Sequence, residues 1–370
     1  MAKTMRIVVT GMAWVTALGD DLESVFQVLL AGRSGLRPVP FARRLRNQLA
    51  APAMAGEESP SERLVSMACR TIRRALQAAR HEPEDPDVQL VLGTSLGTFL
   101  DDETSRRSLS GWAQAVAREL GSPSTPIVVS TACSAGADAI MIGAELIRSG
   151  AAKCCVCGGA DVLTDSKRLG HSALGTMSPT QLRAFDIRHD GTLLGEGAGC
   201  MILEPETSKQ NLQAIYRGGG SANDATGMTI ADMTGLSAGY AMKRSLADAD
   251  LPPSAIGLIN AHGSGTPMSD TTECAAFGSV FPGSNRPMVF ATKGNFGHTL
   301  GATGAIEAIA LVLAMNAGRV PPIYGLEQPV DGFSLPLAAS ESFSSDARIG
   351  LSLTLGFGGF DTSLIFEAAS

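Results

Sequence analysis

Short apolar runs alternate with segments of helical period along this whole sequence, and the alternation is run through twice. Residues 7–10, 88–93, 127–129, 152–159 and 198–203 read as buried strands, with helices over 21–30, 62–80 and 137–148. From about 209 the order starts again: a strand near 212–217, a helix at 235–249, a strand at 256–260 and a helix near 270–278. A strand at 288–292, a helix at 304–316 and terminal strands at 350–355 and 362–366 complete it. This order predicts an α/β chain whose sheets are buried under helices. It also predicts an internal duplication, with halves over 1–208 and 209–370 and the active site where they meet. Gly11 reads as a turn and Ser61 as a helix cap. Residues 34–60 read as an irregular excursion, 101–119 as a polar helical connector and 165–195 as loop.

With 370 residues, 44% of them apolar, the chain has ample material for a large core. A formal charge of −7 argues against general nucleic-acid binding. No apolar stretch is long enough to suggest a membrane span, and the first residues lack the long apolar region of a signal peptide. Seven cysteines, an odd number without the spacing of a disulfide scaffold, fit a reducing cytoplasm. Cys154, Cys155 and Cys157 fall on one predicted strand, Cys155 and Cys157 on one face and Cys154 on the other. With no matching second pair, core packing is expected of them and no metal site.

The stretch Ser130-Thr131-Ala132-Cys133-Ser134-Ala135-Gly136 reads as a strand end, a sharp turn and a helix start with one thiol at the turn. Small residues let the backbone bend and let a substrate approach. A helix start supplies unpaired N–H groups and partial positive charge, which favour the reactive thiolate. On this stretch alone, Cys133 is either a nucleophile or a buried structural cysteine.

Two histidine motifs lie in the second half. His262 stands in Asn260-Ala261-His262-Gly263-Ser264-Gly265-Thr266-Pro267 and His298 in Lys293-Gly294-Asn295-Phe296-Gly297-His298, each after a predicted strand. Glycine-flanked histidines at strand ends sit where open α/β sheets place ligands. A Cys-His hydrolase would need one histidine as base. Two histidines with Lys293 suit another task better: neutral imidazoles can donate N–H bonds to a thioester carbonyl and stabilise an enolate. A nearby cation keeps a histidine neutral.

Taken together, Thr131 to Gly136, His262 to Pro267 with Asp270, Lys293 to His298 with Gly301-Ala302-Thr303-Gly304, and Gly356-Phe357-Gly358-Gly359 resemble the β-ketoacyl-acyl carrier protein synthases of the thiolase superfamily. Asp190-Gly191 and Gly195-Glu196-Gly197-Ala198-Gly199 add to the resemblance, which covers nearly the whole chain. It implies a thiolase-like duplicated α-β-α-β-α layered fold. It implies decarboxylative Claisen condensation of a carrier-bound acyl chain with malonyl-acyl carrier protein, in fatty acid or type II polyketide biosynthesis. Cys133 would carry the acyl chain as a thioester, and His262 and His298 would bind the malonyl thioester carbonyl. Lys293 would order His298 electrostatically, with Glu307 in the same network. The N–H groups of Cys133 and Phe357 would form the oxyanion hole, and Phe357 resembles the gating aromatic. Thr266 and Gly358 would line the phosphopantetheine tunnel. No cofactor is implied beyond the phosphopantetheine carried by the acyl carrier protein. The implied partners are that carrier and a second subunit, in a homodimer or in a heterodimer with a related chain-length subunit.

A histidine at 298 with Lys293 before it resembles the elongating, carrier-primed branch. The region after Gly356 offers no second cysteine, as a degradative thiolase would. The chain departs from the family pattern in four places, the mildest being Ser264 where that pattern has Thr. The stretches from Gly97 to Cys133 and from His171 to Phe185 are short. Gly358-Gly359-Phe360-Asp361 replaces the usual Gly-Gly-Thr-Asn. These trims suggest a specialised condensing enzyme. The alternative is a chain-length-factor-like subunit that pairs with a catalytic ketosynthase and shapes its pocket.

Overall fold

The computed structural model describes residues 5–54, 58–102, 108–207, 211–283, 286–339 and 341–369. Ten strands form one continuous sheet. Five come from the first part of the chain: β1 (Ile7–Val15), β2 (Val88–Gly93), β3 (Ile127–Val129), β4 (Cys154–Asp161) and β5 (Gly197–Pro205). The other five are β6 (Ala214–Asn223), β7 (Leu258–Asn260), β8 (Met288–Phe290), β9 (Ile349–Gly356) and β10 (Phe360–Ala368). The spatial order is β8-β7-β9-β10-β6-β1-β5-β4-β2-β3. Counted outward from the centre, each set of five runs first, fifth, fourth, second, third. The directions repeat as well, with two antiparallel pairings and then two parallel ones in each set. The sets join where β1 pairs antiparallel with β6, Ile7 opposite Tyr216. The predicted boundary at 208/209 lies outside the described residues.

Helices cover the strands: α1 (Leu22–Leu30), α2 (Pro60–Ala79), α3 (Gly111–Leu120), α4 (Ala135–Arg148), α5 (Asp165–Ala173), α6 (Leu236–Asp248), α7 (Pro267–Val280), α8 (Lys293–Phe296) and α9 (Thr303–Ala317). Apolar residues of α2 and α3 pack with one face of β1, β2, β4 and β5, Cys154 among them. Cys155 and Cys157, on the opposite face of β4, join the larger core with α4 and α9. The alternation expected of a strand therefore sorts these three cysteines as the sequence suggests. Helices α4 and α9 lie against each other as well as against strands. Residues 300–317 are long and apolar enough to cross a membrane by length and composition, and most of that segment is buried in the protein core.

Three local expectations are corrected. Gly11 is not a turn: β1 continues to Val15, and the register against β5 shifts between Val9 and Gly11 as a bulge. Ser59, not Ser61, caps α2, in a capping box with Glu62. Ser61 instead hydrogen-bonds Thr98 and Asp102. The loop expected over 165–195 contains α5, capped by Thr164. Its sequence has no apolar stripe to reveal it. Tertiary bonds hold it: Lys167 pairs with buried Asp161, and Arg168 donates to the carbonyls of Val39 and Gln48.

Candidate active site

Cys133 stands where β3 turns into α4. Ala132 before it has φ +52°, a left-handed backbone that a residue with a side chain adopts only where its surroundings force it. One turn of 3-10 helix, Ala132–Ser134, then leads into α4. The turn is pinned by Asp138, whose carboxylate accepts from the hydroxyls of Thr131, Ser134 and Thr362. Thr362 lies on β10, so the nucleophile turn is tied to the other set of strands. Close approach does the rest. A Cβ on Gly136 would lie 2.9 Å from the Gly301 carbonyl oxygen, and one on Gly159 only 2.4 Å from it. Only glycine lets these backbones meet.

A cavity of about 580 Å³ opens over Cys133. His262, His298, Phe357, Thr266 and Gly358 border it too, so the structure brings these sequence-predicted residues together with the thiol. The rings of His262 and His298 meet edge to face, centroids 5.3 Å apart. His298 Nδ1 accepts from the Leu300 N–H (3.2 Å), with Thr303 Oγ1 at 3.0 Å. That leaves the ring proton on Nε2. The backbone N–H groups of His262 and Gly263 donate to the two oxygens of Glu273, at 2.7 and 2.8 Å. Burial, and after it the Lys293 charge, hold both histidines well below their ordinary pKa, so both rings are neutral near pH 7.

Lys293 and Glu307 do not border the cavity; they lie behind it. The Lys293 ammonium donates to the Glu307 carboxylate and to the main-chain carbonyl of His262. Its action on His298 is through its field. Burial pushes Glu307 up to about 7, against the pull of Lys293.

For Cys133 the structure corrects one expectation. The helix start does not yield a resting thiolate: burial pushes the thiol up to about 11, although the Lys293 charge and the Phe357 N–H both pull it down. The free protein therefore holds a protonated thiol near pH 7 and needs a base as the thiol attacks. Phe357 borders the same cavity as Cys133, on the loop that carries the second expected oxyanion donor. A Cβ on Gly356 would sit 3.4 Å from the Cys133 nitrogen, so the terminal glycine loop closes directly on the turn.

Thr266 Oγ1 caps α7, accepting from the Ser269 N–H, and pairs with Ser264 Oγ. The Gly358 N–H donates to the Met228 carbonyl. Sequence reasoning missed Glu273, His171 and Asp161. Glu273 and Asp270 are an i, i+3 acidic pair on a helix of small residues, and that pair was a usable signal. Asp161 accepts from the N–H groups of Ser95 and Gly301 and fixes the segment after His298. Apart from this site, His81, Cys154 and Glu204 gather potential ligand atoms. There the two ring nitrogens of His81 already face Asp85 and Glu204, so the cluster is accounted for as an ion-pair network.

The family described as β-ketoacyl synthase, N-terminal domain, matches residues 4–209, and the β-ketoacyl synthase C-terminal domain matches residues 213–327. The chain is similar to the 3-oxoacyl-[acyl-carrier-protein] synthase 2 of Synechocystis sp., 29% identical over 406 residues covering 98% of each chain. It is similar to the protein of the same name from Coxiella burnetii, 29% identical over 414 residues and again 98% of each. Among solved structures it resembles the ishigamide ketosynthase/chain length factor, with TM-score 0.89 at 28% identity over 100% of both chains. A β-ketoacyl synthase from Burkholderia phymatum gives the same TM-score, 0.89, and the same 28% identity over 99% of this chain and 100% of that one. The fold, at 24% identity and TM-score 0.91 over 100% of both chains, is also that of a type II ketosynthase solved with its acyl-carrier protein. Matched along most of its length by both domains of one family, the chain belongs to the β-ketoacyl synthases.

Proposed function

We propose that this chain is a carrier-dependent condensing enzyme of the elongating type, with Cys133 as its nucleophile. The observation that carries the reading is one cavity bordered by a thiol, two neutral imidazoles and the Phe357 loop, with a buried Lys293–Glu307 pair behind it. The Cys133 sulfur attacks the acyl thioester, its proton passing through a neighbouring imidazole to the departing carrier thiolate. The tetrahedral oxyanion is held by the N–H groups of Cys133 and Phe357. The malonyl thioester carbonyl then accepts from His262 and His298. Carbon dioxide leaves, and the resulting enolate attacks the acyl-Cys133 carbonyl. Cys133 leaves as a thiolate and takes a proton from solvent, and the products are a β-ketoacyl carrier, the free carrier released on loading, and carbon dioxide. Loss of carbon dioxide drives the condensation. Thr266 and Gly358, at the border of the cavity, line the path of the phosphopantetheine arm that the carrier brings.

The same proposal includes a two-part division near 208/209, a dimer and a cytoplasmic setting. Support for the division is the repeated strand order, and for the setting seven free cysteines. A heterodimer takes support from the ketosynthase/chain length factor among the similar structures. Intact-protein mass spectrometry after mixing with acyl-carrier protein tests the reading, with Cys133→Ala alongside. An acyl mass on the wild type that is absent from the variant is expected. No transfer across a range of chain lengths would instead make this a pairing subunit.

A further inference from the structure

His171 lies near the end of α5 (Asp165–Ala173). Its ring stacks on Phe357, centroids 5.6 Å apart and planes 17° apart, and both rings border the cavity over Cys133. Phe357 follows Gly356, where an added Cβ would lie 3.4 Å from the Cys133 nitrogen, so this imidazole stacks on the loop that closes over the thiol. Burial, and then the Lys167 charge, lower its pKa to about 4, so the ring is neutral at working pH. Nδ1 is 2.9 Å from Thr176 Oγ1, and that hydroxyl lies 3.3 Å from the His171 carbonyl. Among the described residues no protein group bonds Nε2.

Beside its stacking on Phe357, the ring shares the cavity wall with Leu174 and Met228. A polar nitrogen among such apolar groups costs free energy unless something pairs with it. The Thr176 hydroxyl can rotate. If it donates to the His171 carbonyl, it accepts from Nδ1–H and leaves Nε2 as an acceptor. If it donates to Nδ1, the proton moves to Nε2, which becomes a donor. With Nδ1 engaged by Thr176, the nitrogen left over on this cavity-lining ring can therefore serve a hydroxyl or a ketone.

We propose that His171 is a specificity-determining residue that favours acyl chains bearing an oxygen function, ketone or hydroxyl, close to the thioester, over unsubstituted alkyl chains of equal length. This rests on the reading of Cys133 as the acyl-loading nucleophile.

The test uses the full chain as wild type, His171→Phe and His171→Gln, with Cys133→Ala as blank. Each is treated with hexanoyl, 3-hydroxyhexanoyl and 3-oxohexanoyl thioesters of acyl-carrier protein, and the Cys133 adduct is followed by intact mass. Wild type is expected to load at least one oxygenated chain faster than hexanoyl. His171→Phe keeps an aromatic stack and should lower that ratio roughly three- to tenfold, the worth of one hydrogen bond. His171→Gln, which keeps a donor and an acceptor, should retain more of it. Both rates come from one preparation, so any loss of folded protein cancels. Which oxygenated probe leads shows whether Nε2 donates or accepts. Equal loading of all three by wild type, or a ratio unchanged in His171→Phe, overturns the proposal. Loading of no probe overturns the nucleophile reading and this inference with it.

Discussion

Lys293 and Glu307 form an ion pair with each side chain 2% exposed, and the same ammonium also holds the main-chain carbonyl of His262. Burying two charges is costly, and removing one partner leaves the other without compensation. Here the pair does chemical work as well: the Lys293 charge depresses both histidines and partly offsets the effect of burial on Cys133.

Lys293→Met should therefore slow malonyl decarboxylation by about a hundredfold, the scale of losing one electrostatic stabiliser in a dry site. It should also move the acid limb of the pH profile to higher pH. The sign follows from the field, since a cation beside an imidazole lowers its pKa and its removal raises it. Carbon dioxide release measured from pH 5 to 8 checks both. An unmoved acid limb would mean that burial alone keeps the rings neutral.

Alkylation reports on Cys133 directly. With the thiol near 11, only a small fraction is thiolate at neutral pH. Iodoacetamide labelling of Cys133, located by peptide mapping, should rise about tenfold per pH unit between pH 7 and 9. A plateau below pH 8 would place the thiol far lower and restore the thiolate expected from the helix start.

That contrast shows how far the sequence could be read. Cys133, His262 and His298 lie in strand-end or turn motifs whose glycines and small residues mark them, and the backbone obeys those marks. The net charge state of the thiol depends on burial, Lys293 and Phe357 together, groups far apart in the chain. Helix α5 was invisible for a related reason: no apolar stripe runs along it, and its stability comes from Asp161 and from the carbonyls of Val39 and Gln48. His171 stacks on a ring nearly two hundred residues away, a contact no local pattern encodes.

Glu273 illustrates a supporting residue with a clear energetic role. Its two oxygens accept the N–H groups of His262 and Gly263, and the carboxyl is fully buried. Glu273→Gln turns one acceptor into a donor and sets an NH₂ against an N–H. A loss on the order of 2 kcal/mol is expected, the cost of a buried unsatisfied group. Decarboxylation should fall roughly tenfold as His262 loses its position, while any acyl loading of Cys133 falls less. Chemical denaturation and the two half-reaction rates check this. Equal losses in both rates would assign Glu273 to the fold alone.

Asp361, just after the terminal glycine loop and where the resemblance leads one to expect Asn, gives a prediction in pH. Burial, and in lesser part the Asp224 carboxylate, push it up to about 7. Although burial pulls the other way, hydrogen bonds from Thr226 and Asp232 hold Asp224 below the usual carboxylate range, so that neighbour stays charged. The folded pKa of Asp361 thus lies above its unfolded value of about 3.9. Below that value it is protonated in both states and its contribution to stability is fully present. From about pH 4 upward the unfolded chain ionises while the folded carboxyl stays protonated, so the contribution falls progressively until, above about 7, both states are charged and it is gone. Asn cannot ionise and escapes the loss. Asp361→Asn should therefore differ least from wild type at pH 4 and gain at least ~3 °C relative to it between pH 4 and pH 8. A melting difference that stays constant between those values would show that Asp361 does not titrate there.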